Sequence, residues 1–299
     1  MSKVQCPLCS SENVTISFSV KDYTVSSASF NLAICKNCGF LFTENAPDLK
    51  EIGKYYQSDD YISHSNSNKG FLNAIYQIVR KRAVSSKRNL LISFTGKGKG
   101  SMLDYGCGTG AFLSEMKTSG WAVQGIEPDS GARSKAIGLT GASVEEPSFL
   151  SSIHSDSVDA ITMWHVLEHV HDLHQTLGEL IRTLKRDGVL IIAVPNHRSY
   201  DAAFYGTYWA AYDVPRHLYH FSPATMKKLM SMHGLTIVNT LPMWYDSFYV
   251  SLLSEKYKHG NSRLLWAMAI GFISNIKAFF KPGVCSSQIY IIKKQDLIS

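Results

Sequence analysis

Short apolar runs alternate with helical periodicity over the C-terminal two thirds of the chain. Each run has the length of a buried strand and ends at a polar or glycine-containing turn, and the pattern predicts strands over residues 101–105, 122–126, 158–163, 189–194, 236–241 and 288–292. Segments with apolar residues spaced three and four apart lie between them. Such alternation is typical of an α/β domain with a mostly parallel sheet covered by helices.

Two of the helices are marked by residues that favour helix ends. One is predicted over residues 172–186, because Asp172 is a suitable N-cap and Gly188 follows the last apolar position. The other begins at Ser222, which a proline follows, and ends at Gly234. Both fall between predicted strands, where a parallel sheet needs helical connections.

A helical insertion is predicted over residues 246–280, before the last strand. Its second half, residues 264–280, is strongly apolar, but Ser274, Asn275 and Lys277 interrupt it, and it is shorter than the ~20 apolar residues that span a bilayer. We interpret it as a buried or lid helix. Peripheral membrane contact through residues 264–280 is the alternative, and a spanning helix is the least favoured.

Four cysteines form two C-x-x-C knuckles near the N-terminus, Cys6 with Cys9 and Cys35 with Cys38. The first residues lack the apolar run of a secretory signal, so we expect a cytoplasmic protein with reduced thiols. The 25 residues between the knuckles allow both to bind one tetrahedral Zn²⁺. Such a site is closed to substrate, so its expected role is structural, to fold a ribbon too small for a core of its own.

The net charge of +6 is concentrated in residues 61–103, which contain eight Lys or Arg and no acidic residue. Lys87 and Arg88 belong to a predicted helix in this segment. We interpret the charges as a solvated helix face, with attraction to a phosphate-bearing partner as the alternative. Nucleic acid is not the expected partner, because the ribbon lacks basic residues interleaved with exposed aromatic residues, although RNA stays an open alternative.

A glycine-rich turn follows the strand predicted over residues 101–105. Gly106, Gly108 and Gly110 precede a helix, where the chain must turn sharply and bring its backbone close to a ligand. This spacing alone also fits the phosphate-binding turn of NAD-binding folds. Asp104 favours a different ligand, because a carboxylate repels a pyrophosphate and stabilises an amino group or a sulfonium. The loop therefore favours S-adenosylmethionine over NAD.

Glu127 and Pro128 follow the next predicted strand. A carboxylate in this place can accept hydrogen bonds from both hydroxyls of a ribose. NAD-binding folds share this feature, so Glu127 is compatible with either cofactor and distinguishes neither.

Successive motifs of the chain resemble those of class I S-adenosylmethionine-dependent methyltransferases. They are Leu103 to Gly110, Gly125 to Asp129, His165 to Val170 and Leu184 to Asn196. The resemblance covers residues 99–240 and implies a Rossmann-like, seven-stranded, mostly parallel sheet with an antiparallel last strand. It also implies that Asp104 lies near the amino acid part of the cofactor, Glu127 on its ribose and residues 142–146 near its adenine. We count Pro128 and His165 among the cofactor-binding residues as well.

We therefore divide the chain into three parts. Residues 1–45 form the zinc-binding ribbon, residues 46–99 a helical connector that caps the cofactor, and residues 100–299 the methyltransferase domain with its helical insertion. One full domain with a small appendage is the natural expectation for 299 residues, of which 45% are hydrophobic and 18% charged.

A zinc module in front of this core resembles the bacterial sugar C-methyltransferases and related small-molecule methyltransferases. In that family a tyrosine- and serine-rich stretch contacts the cofactor, which implies this role for Tyr61 and His64. A His-Glu-His-Leu-x-Tyr-Phe-Ser segment supplies its catalytic base, and the second histidine aligns with His217. The chain departs from the pattern at Pro215 and Arg216, so carbon methylation of a keto-sugar is not implied. Arg216 could instead clamp a carboxylate or phosphate.

Methyl transfer requires positioning and removal of the acceptor's proton, and histidine titrates near neutral pH. The candidate catalytic residues are His217, His220 and His165, with a buried or capping structural role as the alternative. His165, Glu168 and His169 could share a helix face and hold a divalent ion, as a similar Glu-His pair does in ubiquinone-pathway and small-RNA O-methyltransferases. We expect instead that Glu168 and His169 orient the loop.

The predicted function is S-adenosylmethionine-dependent methyl transfer to a small or carrier-linked metabolite, such as a saccharide, a nucleotide sugar or a lipid-linked intermediate. An RNA or protein methyltransferase and a non-catalytic cofactor-binding module are the alternatives. Salt-sensitive binding of RNA would favour the first alternative, and failure to bind the cofactor would favour the second.

Overall fold

The computed structural model describes residues 4–56 and 71–295, with the backbone alone for residues 71–80. Tyr61 and His64, for which the resemblance implies a cofactor contact, lie outside the described residues. Within the described ranges the strands form a four-stranded sheet and a seven-stranded sheet.

The strands of the described ranges are β1 Val14–Lys21, β2 Ser29–Cys35, β3 Leu41–Thr43, β4 Ser101–Tyr105, β5 Ala122–Ile126, β6 Val144–Glu145, β7 Val158–Trp164, β8 Leu184–Pro195, β9 Tyr219–His220, β10 Leu235–Pro242 and β11 Ser287–Lys294. The larger sheet has the order β10-β11-β8-β7-β4-β5-β6. β11 runs antiparallel to both of its neighbours, whereas β8, β7, β4, β5 and β6 pair in parallel. This is the seven-stranded sheet with an antiparallel last strand that the sequence predicts.

The helices are α1 Phe71–Thr95, α2 Ala111–Thr118, α3 Ser130–Thr140, α4 Leu173–Thr183, α5 Tyr200–Tyr205, α6 Pro223–Met232, α7 Asp246–His259 and α8 Leu264–Phe280. Helices lie on both faces of the larger sheet, α1 and α2 on one and α4 on the other, because neighbouring residues of β4 enter different apolar clusters. Met102 packs in a cluster with Leu91 of α1 and Met116 of α2, and Leu103 in a cluster with Leu177 of α4. The strands are therefore apolar on both faces, as their sequences indicate.

The helix predicted over residues 172–186 is shorter than expected. It ends at Thr183, and β8 begins at Leu184, before the predicted start of that strand. Gly188 lies inside the strand, where a Cβ would come within 2.6 Å of Leu184 Cδ1. Gly188 therefore permits close packing in an extended segment and does not end the helix. Asp172 is the N-cap residue, but its side chain makes no capping hydrogen bond.

The predicted insertion consists of α7 and α8, which pack against each other. Polar residues of α8 hold it to the core, since the Ser274 hydroxyl donates to Asp201 at 2.8 Å and Lys277 Nζ lies 3.9 Å from the centre of the Tyr200 ring. The opposite face of α8 is exposed, with Leu265 at 88% and Phe280 at 80%. Among the residues that the structure describes, no helix is long and apolar enough to cross a membrane.

The N-terminal ribbon shares its sheet with the main domain. β1, β2 and β3 pair antiparallel, and β3 pairs on its other edge with β9, which lies between β8 and α6 in the sequence. The Thr43 amide extends this pairing by donating to the Leu218 carbonyl at 2.9 Å. The ribbon therefore contacts the segment that carries His217 and His220 directly.

Candidate active site

Three glycines shape the turn between β4 and α2. Gly106, Gly108 and Gly110 have left-handed φ angles of 79°, 54° and 82°, which residues with side chains rarely adopt. A Cβ on Gly106 would lie 2.3 Å from Val166 Cγ2, and one on Gly110 would lie 2.9 Å from Ala136 Cα. These two glycines therefore let the loop pack closely on its neighbours. A Cβ on Gly108 would meet nothing within 4 Å, so this part of the backbone faces open space that a ligand can approach.

Glu127 holds the same loop from the end of β5. Its Oε2 accepts a hydrogen bond from the Gly108 amide at 2.8 Å, and its Oε1 accepts one from the Asp129 amide at 3.0 Å. Burial raises the pKa of Glu127, and these amides lower it in part. Each carboxylate oxygen has a second lone pair, so the side chain can accept from ribose hydroxyls while it fixes the loop. The carbonyl of Pro128 accepts from Arg133 Nη1 at 2.7 Å.

Asp104 is a buried carboxylate at the carboxyl end of β4. Its Oδ1 accepts a hydrogen bond from the Thr162 hydroxyl at 2.6 Å. Burial raises the pKa of Asp104 to about 7, against the opposing effects of this hydrogen bond and of the Lys87 ammonium. A cationic group of a ligand would stabilise the charged carboxylate. Asp104 is therefore suited to bind an amino group.

Lys87 belongs to this site, although the sequence assigned it to a solvated helix face. Its Nζ lies 4.3 Å from the centre of the Trp164 ring, at the end of β7. Burial lowers the pKa of Lys87, and the carboxylates of Asp104 and Asp246 raise it in part. The periodicity of α1 could not reveal this position, because it does not show against which elements the helix packs.

His165 bridges the end of β7 to α7. Its Nε2 lies 2.8 Å from Asp246 Oδ2, and its Nδ1 lies 3.4 Å from Glu168 Oε1. Burial opposes a charge on this ring, but Asp246 and Glu168 raise the pKa of His165 to about 10. A protonated imidazole has no lone pair to accept a proton. This arrangement therefore suits His165 to binding and orientation more than to proton removal.

Glu168, His169 and His217 lie together at the carboxyl ends of the strands, and we call them the EHH cluster. The rings of His169 and His217 meet edge to face with their centres 4.6 Å apart, and one potential ligand atom of each residue lies within 4.8 Å of the others. Burial opposes the charge of Glu168, but the imidazoles, led by His165, hold its pKa below its usual range. Burial lowers the pKa of His169 to about 4. The fold thus brings His217 to a Glu-His pair that is far away in the sequence.

His220 lies between the ribbon and the main domain. The Thr43 hydroxyl donates to the His217 carbonyl at 2.6 Å, so the 3.2 Å contact between this hydroxyl and His220 Nε2 requires the ring nitrogen to donate. Burial lowers the pKa of His220 well below its ordinary value. The ring is therefore neutral and helps to join β9 to β3.

Arg216 is also buried, with 2% of its surface exposed. Its guanidinium donates to Asp213, to the Thr24 hydroxyl and, at 2.8 Å, to the Tyr55 carbonyl. Burial opposes its charge, but Asp213 and Asp22 raise the pKa of Arg216 above its usual value. These partners occupy the guanidinium, so it does not form the clamp for an acceptor carboxylate or phosphate that the sequence suggests.

The four knuckle cysteines converge on one point of the ribbon. The Sγ atoms of Cys6 and Cys38 are 3.6 Å apart, those of Cys9 and Cys35 are 3.7 Å apart, and all four lie within 4.8 Å of one another. A tetrahedral Zn²⁺ with Zn–S bonds of about 2.3 Å separates its sulfur ligands by about 3.8 Å. Burial raises the pKa of Cys38 to about 11, whereas the amides of Cys38 and Asn37 overcome burial and lower the pKa of Cys35 to about 7. The donor set and its spacing fit structural zinc.

An open pocket borders residues 142–146, where the resemblance places the adenine. It is lined by Arg133, Glu145, Glu146, Ser148, Phe149 and Ser152. The Arg133 guanidinium donates to the Glu127 carbonyl at 2.8 Å, which connects this pocket to the end of β5. Phe149 offers apolar surface for a base.

Comparisons with known proteins agree with this arrangement. A family model described as a methyltransferase domain matches residues 76–240, more than half of the chain. The structure of the magnesium protoporphyrin IX methyltransferase from Synechocystis with bound SAH is similar, with a TM-score of 0.55 and 14% identity over 83% of this chain and 100% of that chain. A SAM-dependent methyltransferase from Archaeoglobus fulgidus gives a TM-score of 0.50 and 19% identity over 76% of this chain and 100% of that chain.

No protein in a search of curated proteins matches the chain. At these sequence identities the solved structures show that the fold is shared, but their substrates are not evidence for the substrate of this chain. The identity of the acceptor must therefore be sought in the side chains of the site.

Proposed function

We propose, from the premise that this chain belongs to the methyltransferase-domain family, that it transfers a methyl group from S-adenosylmethionine to a small or carrier-linked metabolite. The cofactor, when bound, supplies a methyl group made electrophilic by the sulfonium. The observation that carries the proposal is the group of Gly108, Glu127 and Asp104 around one turn, which offers an open backbone surface, a ribose-binding carboxylate and a partner for an amino group. A small-molecule acceptor is also named for the Synechocystis relative.

Lys87 and Asp104 together match the amino acid part of the cofactor. That part is a zwitterion, with an ammonium and a carboxylate on one carbon, and the two side chains offer the opposite charges next to the glycine loop. When the cofactor is bound, its ammonium and carboxylate would balance the charges of the two side chains in a site from which water is partly excluded. We assign Asp104 to the ammonium and Lys87 to the carboxylate.

The acceptor site is proposed at the EHH cluster. His217 Nδ1 lies 2.9 Å from the Ala211 carbonyl, to which it must donate, so Nε2 carries the lone pair. His217 is buried and forms part of the cluster at the carboxyl edge of the sheet, where α/β folds bind their ligands. This histidine therefore has the tautomer and the position that removal of an acceptor proton requires.

Calorimetry with S-adenosylhomocysteine tests the cofactor site, and methyl transfer to a confirmed acceptor tests the role of His217. His217→Ala should lower the transfer rate by about two orders of magnitude or more while cofactor binding persists. His174→Ala is the control, because this ring is partly buried outside the EHH cluster, where it bonds to His233 and to the Pro7 carbonyl. A rate for His217→Ala within about threefold of wild type would exclude this role.

A carrier-linked acceptor on a membrane is favoured by the exposed face of α8. Large apolar side chains cover this face, including Leu264, Leu265, Trp266, Phe272, Ile276, Phe279 and Phe280. Residues 256–281 contain five Lys or Arg and no acidic residue. An apolar helix face with basic neighbours fits the surface of an anionic bilayer, where the apolar side chains enter the interface and the cations remain with the headgroups. We propose this surface as the partner of α8.

Sedimentation with lipid vesicles tests this partner. The wild-type chain should pellet with vesicles that contain phosphatidylglycerol and much less with pure phosphatidylcholine. The double variant Leu265→Glu/Phe280→Glu should stay in the supernatant. Leu139→Glu is the control, because Leu139 on α3 is also exposed, at 57%, but lies outside this face. Equal sedimentation of the wild type and the double variant would refute the membrane contact.

A further inference from the structure

We infer that the methyl acceptor is a primary amine, whose protonated nitrogen binds to the EHH cluster and receives the methyl group. This amine site rests on the proposed function, because both place the acceptor at the same cluster. Three features of the cluster indicate this class of acceptor: a carboxylate without a hydrogen-bond donor, two imidazole lone pairs beside it, and an excess of negative charge around them.

The carboxylate of Glu168 is buried without a hydrogen-bond donor. Glu168 is 0% exposed, and neither of its oxygens has a hydrogen-bond partner among the described residues. The charged ring of His165 lies 3.4 Å from Oε1, but the same ring is held by Asp246 at 2.8 Å. A buried carboxylate without hydrogen bonds is destabilising, so this side chain is suited to a ligand that brings N–H donors and a positive charge.

The two histidines of the cluster add two more acceptors of hydrogen bonds. His169 Nδ1 lies 3.0 Å from the Arg216 carbonyl. His217 Nδ1 lies 2.9 Å from the Ala211 carbonyl. A carbonyl only accepts hydrogen bonds, so each ring in its neutral form has its proton on Nδ1 and its lone pair on Nε2. The EHH cluster therefore presents one carboxylate and two lone pairs to a ligand.

A protonated primary amine matches this set of three acceptors. One potential ligand atom of each residue in the cluster lies within 4.8 Å of the others. An ammonium has three N–H donors in tetrahedral directions, and at hydrogen-bond distances of about 2.9 Å its acceptors lie about 4.7 Å apart. A hydroxyl has a single donor and would leave two of the three acceptors without a partner. The spacing of the cluster therefore favours an amine over a hydroxyl.

The charges around the cluster are predominantly negative. Among the described residues, two groups of ion pairs each contain one cation and two carboxylates: Asp246, His165 and Glu168 in the first, and Asp22, Arg216 and Asp213 in the second. The second group reaches the cluster, since Asp213 Oδ2 lies 3.8 Å from His217 Nε2. His169 adds no cation, because burial lowers its pKa to about 4. Each group therefore has one carboxylate in excess.

A bound cofactor would leave one of these two negative charges unbalanced. In the arrangement proposed above, its ammonium and carboxylate pair with Asp104 and Lys87, so its amino acid part adds no net charge to the site. One of the two excess carboxylates would balance its sulfonium. An ammonium of the acceptor would balance the other, whereas a carboxylate or a phosphate would add to the negative charge. The charges of the site therefore favour a cationic acceptor.

The cluster lies next to the cofactor loop. A Cβ on Gly106 would lie 2.3 Å from Val166 Cγ2, so the first glycine of the loop packs on the segment that leads to Glu168. An amine held by the cluster would therefore lie beside the bound cofactor.

The lone pair of His217 keeps the role of base in this reaction. His217 Nε2 accepts a hydrogen bond from the ammonium and then takes that proton, which leaves a neutral amine. The nitrogen lone pair of the amine forms the bond to the methyl carbon, and the electron pair of the broken C–S bond returns to sulfur. The products are the N-methylated ammonium, S-adenosylhomocysteine and a protonated His217, which releases its proton to water.

Methyl transfer to matched pairs of compounds tests the class of the acceptor. The members of a pair share a carbon skeleton and differ in a primary amine or a hydroxyl: ethanolamine and ethylene glycol, glucosamine and glucose, benzylamine and benzyl alcohol. With methyl-labelled cofactor, at least one amine should receive label about tenfold faster than its hydroxyl partner, or faster still. Smaller ratios in all three pairs, or no transfer at all, by a protein that binds S-adenosylhomocysteine would overturn the inference.

Glu168→Gln tests the site itself. It keeps the size of the side chain and replaces an acceptor oxygen by a donor, so it should weaken binding of ethanolamine about tenfold or more, measured by saturation-transfer NMR. Its affinity for S-adenosylhomocysteine should stay within about threefold of wild type. Loss of the preference for ethanolamine over ethylene glycol in this variant distinguishes the charge of Glu168 from a structural role.

Glu255→Gln is the matched control. Glu255 is also 0% exposed and also lacks a hydrogen-bond partner for either oxygen, but it lies on α7, outside the EHH cluster. The variant should keep the affinity for ethanolamine within about threefold of wild type. Equal losses in the two variants, or full binding of ethanolamine by Glu168→Gln, would overturn the assignment.

The NMR measurement needs no turnover, so the two proposals can fail separately. If S-adenosylhomocysteine binds and the protein neither binds nor methylates an amine, the amine site is wrong and the proposed function stands. If ethanolamine binds through Glu168 and S-adenosylhomocysteine does not bind, the proposed function is wrong and the ammonium site stands.

Discussion

Substitution of Gly108 by alanine separates the effect of backbone strain from the effect of blocking the cofactor. Gly108 has a φ of 54°, and a Cβ there would meet no atom within 4 Å. In the free protein Gly108→Ala should therefore cost only the left-handed conformation, about 1–2 kcal/mol of unfolding free energy. In the complex the added methyl group occupies the space proposed for the cofactor. The dissociation constant for S-adenosylhomocysteine should then increase tenfold or more, which corresponds to about 1.4 kcal/mol or more.

Gly96→Ala is the matched control for this experiment. Gly96 also has a left-handed φ, of 65°, and no atom within 4 Å of a Cβ, but it lies in the turn before β4. It should lose about 1–2 kcal/mol of stability and keep its affinity for S-adenosylhomocysteine. Urea unfolding measures the first quantity and calorimetry the second. Equal affinities of Gly108→Ala and Gly96→Ala would show that the cofactor does not lie over Gly108, and the proposed site would be wrong.

Gly106→Ala extends the comparison to a position where the structure predicts a steric overlap. Its Cβ would lie 2.3 Å and 2.8 Å from the two Cγ atoms of Val166, so packing strain of about 1–3 kcal/mol adds to the conformational cost. Val166→Ala removes both Cγ atoms. The two substitutions should therefore be less destabilising together than the sum of their separate effects, by about 1 kcal/mol. Additive effects in this double-mutant cycle would refute the contact.

Three further predictions follow from charges and from the ribbon. Since burial raises the pKa of Asp104 to about 7, affinity for S-adenosylhomocysteine should increase by up to about tenfold per pH unit up to neutral pH, and calorimetry should find no such slope in Asp104→Asn. Asp246 and Glu168 raise the pKa of His165 to about 10, so the stabilisation from the charged imidazole should be complete below the unfolded pKa of about 6.5 and lost as pH rises toward 10. Urea unfolding should show this pH dependence in the wild type and a weaker one in Asp246→Asn, where Glu168 alone remains to raise the pKa. Cys9→Ser should bind less zinc by elemental analysis and lose methyl transfer more than cofactor binding, because the ribbon supports His217.

The strands and the glycine loop could be predicted because their determinants are local. β4 and β5 begin and end where the sequence predicts, since each is an apolar run bounded by glycine or polar residues. The helix α6 begins at Pro223, as predicted, because Ser222 and Thr225 form a capping box. The error at Gly188 has a similarly local cause, because a glycine after an apolar helical pattern looks the same whether it ends a helix or packs inside a strand.

The composition of the site could be predicted only in part, because its contacts join distant segments. Asp104, Glu127 and the glycines are recognisable from their order along the chain. Lys87 and Asp246 are not recognisable in this way. Lys87 lies on a helix with a basic surface, and only the fold brings it near Asp104. Asp246 begins an insertion, and only the fold brings it to His165. The association of His217 with Glu168 likewise depends on how the segment after β8 returns to the sheet.

The ribbon is best understood as part of the framework of the active site. Cys35 is both a knuckle cysteine and the last residue of β2, so the proposed zinc is connected to the ribbon sheet. β2 pairs with β3, and Thr43 at the end of β3 donates its hydroxyl proton to the His217 carbonyl at 2.6 Å. The Ala211 carbonyl fixes the His217 ring, and the Thr43 hydroxyl fixes the backbone of the same residue. The ribbon therefore adds hydrogen bonds to the segment that carries His217, and the zinc proposed at its cysteines would act on the methyltransferase domain through this framework.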